Sequence, residues 1–365
     1  VKIVFVMPPG GIAATGGFRI IAGYSDWLQA RGHEVVMLAP QGAPPRSRKL
    51  RRRALQWLKR LTSPRGADAP PFVNNPDVTI TIVKGKDRLD PEDFPEADIY
   101  VASWWETVEW VAALPAGAAK LHFVQDHEIF PYLPVERAHA AYRQPFAKIV
   151  VSQWLLDRMR ECYSVEDAIL VENAVECALF EQPARRKPER RTVGFLYSHA
   201  ERKNSAMAIE ACRLLKRRFP ELCVLSFGNQ APKASDNMPG WVEYSVKPSA
   251  EEISRIYGAC DVWLFSSDEE GFGLPILEAM AAGAPVVATP AGAAPQLVDG
   301  VNGTIVAHDA GALADAAARI IVLQPDAWKK MSLAAEETAR RRDWDAAAKE
   351  FEAALLAAVG GRGTL

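Results

Sequence analysis

The stretch from Asp261 to Asp299, DVWLFSSDEEGFGLPILEAMAAGAPVVATPAGAAPQLVD, leaves little choice of fold. Residues 262–265 are an unbroken apolar run, the mark of a strand covered on both faces. Ser266, Ser267, Gly271 and Gly273 then form a loop, and Pro275 stands where a helix's first residue tolerates a missing N–H. The helix should stop near Gly283, and residues 285–289 begin another strand. Strand, glycine loop, helix and strand again is the repeating unit of a parallel sheet with right-handed crossovers.

The same unit recurs along the chain. Residues 2–7 read as a strand, 8–17 (PPGGIAATGG) as a glycine-rich turn, and 18–30 as a helix closed by Gly32. Further strands are expected at 34–38, 98–102, 121–124, 149–152, 168–171, 192–196, 222–227, 241–244 and 303–306. A charged, apolar-poor segment, QPARRKPERR at 182–191, reads as a surface linker. With 365 residues, the chain has length for two cores, so the expected class is α/β with two Rossmann-like domains, 1–165 and 166–342.

A strand that ends in a glycine loop and turns into a helix presents unpaired N–H groups at the helix's positive end, a seat for phosphate. Glu270 lies just ahead of that seat and Glu278 one turn inside, where carboxylates accept hydrogen bonds from sugar or ribose hydroxyls. A ligand carrying both an anion and hydroxyls suits this pattern, and a nucleotide sugar has every part. Gly10-Gly11 and Gly16-Gly17 let backbone approach a phosphate or sugar closely. The second strand ends in Ala39-Pro40-Gln41 rather than the acidic residue that holds an NAD ribose, which disfavours a dinucleotide oxidoreductase.

Lys+Arg 43 against Asp+Glu 45 gives a net charge of -2, so no global basic field argues for nucleic acid. The five cysteines include no C-x-x-C, and buried thiols in a reducing compartment are expected rather than a disulfide framework or zinc site. The apolar run at 3–7 falls far short of a membrane span and no signal peptide precedes it, so a cytoplasmic protein is expected. Residues 45–65 are dense in Arg and Lys with interspersed leucines. They read as a basic amphipathic helix that either docks on an anionic membrane surface or lipid-linked acceptor, or packs on its domain with a solvated face.

The two glutamates separated by seven residues, followed by AMAAGAPVVAT and GTIVA, resemble the signature of retaining glycosyltransferases with the GT-B fold, the family 4 type. That resemblance implies transfer of a sugar from a nucleotide diphosphate donor to an acceptor hydroxyl, in polysaccharide or glycoconjugate synthesis, with no cofactor and no metal. It places Glu270 by the donor sugar, Glu278 on the ribose, and the diphosphate on Lys203 and the N–H groups of Phe272, Gly273 and Leu274. Ser198 stands where the family has an arginine. Arg202 is the candidate substitute, its contribution set by the geometry of the turn. Gly16 and Gly17 belong to the loop that in this family lies between donor and acceptor, and Gln125 replaces a histidine on the acceptor side, leaving Asp126 and His127 as catalytic candidates. QDHE after a strand also resembles transferases that build rhamnose-containing polysaccharides, and implies a deoxythymidine-linked donor. Residues 343–365 resemble the helix that returns to the N-terminal domain. Two rival readings are a nucleotide-sugar epimerase of the same fold, which needs no acceptor, and a non-catalytic binding subunit, which Gln125 and Ser198 favour.

Overall fold

The computed structural model describes residues 1–10, 16–42, 73–182 and 186–360. The segment 43–72, which holds the whole basic stretch, lies outside the described residues. Contacts divide the chain into two compact units: Val1–Val151, Leu156–Val171 and Ala348–Leu365 form the first, Ser152–Leu155 and Glu172–Ala347 the second.

The first unit runs β1 (Lys2–Val6), α1 (Gly16–Ala30), β2 (Glu34–Gln41), β3 (Thr79–Lys84), β4 (Ile99–Ala102), α2 (Trp105–Ala112), β5 (Ala119–Val124), α3 (Val135–Tyr142), β6 (Ala147–Val150), α4 (Gln153–Tyr163) and β7 (Ile169–Leu170). Its strands pair in parallel in the order β3-β2-β1-β4-β5-β6-β7. Val4, Val6, Val36 and Leu38 from the sheet pack with Trp105 and Val108 of α2. Burying such runs on both faces supplies most of the driving force for the layered fold.

The second unit runs β8 (Thr192–Leu196), α5 (Ser205–Arg218), β9 (Cys223–Gly228), β10 (Val242–Val246), α6 (Ala250–Ala259), β11 (Val262–Phe265), α7 (Leu274–Ala281), β12 (Val286–Ala288), α8 (Ala294–Leu297), β13 (Gly303–Ile305), α9 (Ala310–Ile321), α10 (Pro325–Arg340) and α11 (Trp344–Gly360). The parallel order is β10-β9-β8-β11-β12-β13. Trp328 of α10 is fully buried and its indole N–H donates 2.8 Å to the carbonyl of Asp261, whose carboxylate in turn accepts from the Thr192 N–H at 2.7 Å. From residue 348 onward α11 belongs to the first unit, where Phe351 stacks on Tyr24 with ring centroids 4.1 Å apart and meets Phe123 edge-on at 4.9 Å.

The chain is therefore α/β with two parallel-sheet domains, and three local expectations are corrected. Gly16 and Gly17 open α1 instead of sitting in the turn before it, and a Cβ at Gly17 would lie 3.3 Å from Gln125 Oε1. Pro275 is the second residue of α7, a position whose N–H is also outside the helical ladder. Cys212, Cys223 and Cys260 are buried, but Cys162 is exposed on the last turn of α4 and Cys177 is half-buried.

Candidate functional site

In an open parallel sheet, ligands sit beyond the C-terminal ends of the strands where the strand order reverses. In the second unit that reversal falls between β8 and β11, and the loops leaving these two strands carry Lys203 and Glu270. After β8 the chain makes a 3-10 turn over Glu201–Lys203, and Asn204, at φ 44°, caps α5 by accepting the Met207 N–H on its side chain. After β11, Ser266 Oγ donates to the carbonyls of Lys203 and Asn204, both at 3.1 Å, and the Asp268 N–H donates to the Arg202 carbonyl at 2.7 Å. These bonds hold the two loops in register.

Glu270 is 5% exposed. Its Oε1 accepts from Lys203 Nζ and, at 2.8 Å, from Ser267 Oγ, while its Oε2 lies 3.6 Å from the Arg202 guanidinium. Burial pushes this carboxyl up, but the charges of Lys203 and Arg202 and the bonds from Lys203 and Ser267 outweigh it, leaving the pKa below the usual glutamate value. Glu270 is thus an ionised acceptor at neutral pH, unsuited to act as an acid. The 3-10 turn brings Arg202 and Lys203 to the same carboxylate, so these neighbours converge here where an extended loop would part them. Ser198 faces its own loop: its N–H donates to Ser205 Oγ at 2.9 Å and its Oγ accepts from the Ala200 N–H at 3.1 Å.

Behind Glu270, Gly273 caps α7 at φ 100°. Among the described residues the N–H groups of Gly273 and Leu274 meet no acceptor, while the Phe272 carbonyl is taken by the Ala293 N–H at 2.8 Å. Gly292, at φ 57°, backs this turn, and a Cβ there would lie 2.6 Å from the Phe272 carbonyl oxygen and 2.9 Å from Glu270 Cβ. Glu278, also 5% exposed, accepts a 2.8 Å hydrogen bond from the Tyr257 hydroxyl of α6 on Oε2.

Asp126 and His127 belong to the first unit and follow β5, one strand beyond that sheet's reversal between β1 and β4. Gln125 Oε1 is buried without a hydrogen-bond partner among the described residues. Asp126 Oδ1 accepts from the next residue's N–H at 2.9 Å, and its carbonyl accepts from the Tyr142 hydroxyl at 3.0 Å. His127 Nε2 lies 2.7 Å from the Tyr163 hydroxyl, which is 3.0 Å from His139 Nδ1. Burial, then the charges of Arg158 and His139, push the His127 imidazole down to about 4, so it is neutral at pH 7. Glu128 accepts the first N–H of α2, from Trp105, at 2.7 Å.

Sequence reasoning placed no role on Ser267, Tyr257 or Gly292. Ser267, three residues before Glu270 in a strand-end loop, carried a readable signal; Tyr257, on another helix, carried none. Among the described residues no cluster of three metal-ligating side chains occurs.

Residues 190–322, all within the second unit, match the family described as "Glycosyl transferases group 1". Among curated proteins, the D-inositol 3-phosphate glycosyltransferase of Saccharomonospora viridis is 39% identical over 154 residues, 37% of this chain and 36% of that protein. The phosphatidyl-myo-inositol mannosyltransferase of Mycobacterium tuberculosis is 32% identical over 206 residues, 51% and 53% of the two chains. The chain thus spans about half or less of the length of these relatives. Two solved structures share the two-domain GT-B fold across nearly the whole chain. Sucrose-phosphate synthase from Thermosynechococcus elongatus has TM-score 0.71 and 19% identity, covering 96% of this chain and 97% of that one. Anabaena Alr3699/HepE in complex with UDP-glucose has TM-score 0.73 and 17% identity, covering 98% and 99%.

Proposed function

We propose that this chain is a glycosyltransferase that moves a sugar from a nucleotide diphosphate donor to an acceptor hydroxyl with retention at the anomeric carbon. The observation that carries the reading is Glu270, held ionised by Lys203 at the strand-order reversal, beside the open N–H groups of Gly273 and Leu274. A dianionic diphosphate competes with Glu270 for Lys203 and Arg202. Its arrival draws both cations onto the leaving group and frees the carboxylate to accept hydrogen bonds from sugar hydroxyls. Charge on the departing diphosphate is taken by Lys203, Arg202 and the α7 amides, which supply the electrostatic stabilisation and leave no metal requirement. Glu278, fixed by Tyr257, holds the ribose. In the other unit, neutral His127 and Asp126 shape the acceptor side.

The inositol in the names of the two curated relatives supports an acceptor of the polyol class, and polysaccharide or glycoconjugate synthesis is the setting of the proposed transfer. No helix among the described residues is long and apolar enough to cross a membrane. The basic stretch at 46–65 would bring the enzyme to anionic lipid at a cytoplasmic surface, which binding to phosphatidylserine vesicles at low salt tests.

The deciding experiment screens uridine, guanosine and deoxythymidine diphosphates and their sugars by thermal shift, since a bound donor stabilises by RT ln(1 + [L]/Kd). The donor that binds is then incubated with inositol, glycan and lipid-linked acceptors, with and without EDTA. A glycoside that keeps the donor's anomeric configuration and forms equally with EDTA is expected. Inversion refutes the retaining step, and loss with EDTA refutes metal independence. Donor conversion without acceptor makes the protein an epimerase, and binding without turnover a non-catalytic subunit.

A further inference from the structure

Beside the C-terminal half of α5 lies a solvent-open cavity of about 460 Å³, lined by Arg213, Lys216, Arg217, Asn237, Pro239 and Trp241. It is remote from Glu270 in the topology. Trp241 and Pro239 precede the N-terminal end of β10, and Lys216 and Arg217 close the last turn of α5, whereas Lys203 and Glu270 follow the C-terminal ends of β8 and β11. In a parallel sheet these are opposite ends of the strands.

Its walls differ in kind. Arg213 is pinned, donating 2.6 Å to the Asn237 carbonyl and meeting Glu210 at 3.2 Å. Lys216 donates 2.7 Å to the Leu222 carbonyl with its ammonium 5.8 Å from the centre of the Trp241 ring. Arg217 keeps 64% of its side chain exposed and meets Glu210 only at 3.7 Å. Three cations therefore face one paired carboxylate, and the lining itself contains none. Complementing the helix dipole accounts for basic residues in the last turn of α5, but not for an indole and a proline set opposite them. The volume lies within the range of about 300–1,000 Å³ usual for small-molecule sites. A guanidinium fork recognises a planar acid group, and an indole face covers the C–H face of a sugar ring.

We propose that this cavity binds an acidic saccharide, with a sugar ring against Trp241 and Pro239 and its carboxylate or phosphate on Arg217 and the preorganised Arg213. It is a second carbohydrate site, one that holds a charged chain away from the strand-end site. It stands whether or not the chain transfers sugar.

The test is equilibrium binding by calorimetry of a uronic-acid tetrasaccharide, a neutral glucose tetrasaccharide, inorganic phosphate and phosphatidylserine vesicles. The uronate is expected to bind at least tenfold more tightly than the neutral tetramer or phosphate, and to weaken as salt rises. Arg217→Gln and Trp241→Leu should each weaken it at least fivefold, while Lys203→Ala leaves it unchanged. Arg217 is exposed, so Arg217→Gln remains decisive if Trp241→Leu lowers the melting temperature. Equal affinity for the neutral tetramer or for phosphate overturns the proposal. So does a loss that follows Lys203→Ala instead, measured at a temperature where that variant is folded, or vesicle binding sensitive to Arg217→Gln without uronate binding.

Discussion

At the end of β11 a glutamate is buried against a lysine, and at the end of β5 a half-buried histidine meets a tyrosine. Burial penalises the charged form of both groups, yet the outcomes are opposite. Glu270 has cations within reach and stays ionised; His127 has like charge from Arg158 and His139, and stays neutral. Position in the sheet matches the chemistry. The charged pair sits at the second sheet's strand-order reversal, next to open helix N–H groups, and the aromatic-walled loop sits one strand beyond the reversal of the first sheet. One strand end is thus built to exchange an internal anion for an external one, and the other to keep a fixed uncharged surface.

Removing the lysine is the strongest way to break this contrast. Lys203→Ala leaves Glu270 buried with the Ser267 hydroxyl and the longer Arg202 contact; breaking a buried pair costs about 3–5 kcal/mol where no second cation remains, and the cost is smaller here because Arg202 stays. A fall in melting temperature is expected together with severe loss of nucleoside diphosphate binding. Adding Glu270→Gln should restore the stability and not the binding. Wild-type melting and binding in Lys203→Ala would end the exchange reading.

Gly292→Ala attacks the same strand end through backbone. The left-handed conformation costs a residue with a Cβ about 1–2 kcal/mol, and the new atom meets the Phe272 carbonyl as well. Lower thermal stability and weaker diphosphate binding should appear together, because the Phe272 turn carries the open amides. Glu278→Ala comes next. It removes a charged hydrogen bond worth about 1.5–3 kcal/mol and should weaken nucleoside and nucleoside diphosphate alike, which titrating both ligands distinguishes from a diphosphate-specific defect.

The β5 side is sharpened by pH. His127 titrates near 4 when folded and near its ordinary value of 6.5 when unfolded, so between those values the unfolded chain binds more protons. Its contribution to stability is full above about pH 6.5 and declines as the pH falls toward 4. His122, fully buried and lowered to about 3, adds slope over the same range. The difference between wild type and His127→Asn therefore isolates the term. Glu270 loses its contribution only as the pH falls below the ordinary carboxylate range. An imidazole resonance of His127 titrating at 6.5 would remove the neutral-surface half of the comparison.

Much of this was legible in sequence because parallel strands buried on both faces leave contiguous apolar runs, as VWLF and KIVFV do. The edge strand β3, TITIVK, is absent from those expectations because it is half-exposed and alternates short polar and apolar residues. Lys203 and Glu270 could be named from glycine-loop-helix grammar. Their mutual pairing could not, since it depends on a 3-10 turn that brings together residues 67 positions apart. The turning of His127 onto Tyr163 depends likewise on α4 packing beside the β5 loop. The basic stretch at 46–65 lies outside the described residues and adds nothing to this comparison.

The smallest expected effect falls on Arg202. Its guanidinium is 3.6 Å from Glu270 Oε2 and donates 3.1 Å to the Glu269 carbonyl, with 26% of the side chain exposed. Because Lys203 and Ser267 still hold the carboxylate, Arg202→Ala should shift the melting temperature less than Lys203→Ala does. The backbone bond from Asp268 to the Arg202 carbonyl survives the substitution, which keeps the two loops in register and Lys203 in place. What the variant lacks is the fork that can span two phosphate oxygens, whereas Lys203 is a point charge. Nucleoside and monophosphate affinity should therefore be unchanged while diphosphate affinity drops several-fold. If the preference for diphosphate over nucleoside survives Arg202→Ala intact, Arg202 only buttresses Glu270, and the loop closed around Ser198 has no cationic replacement.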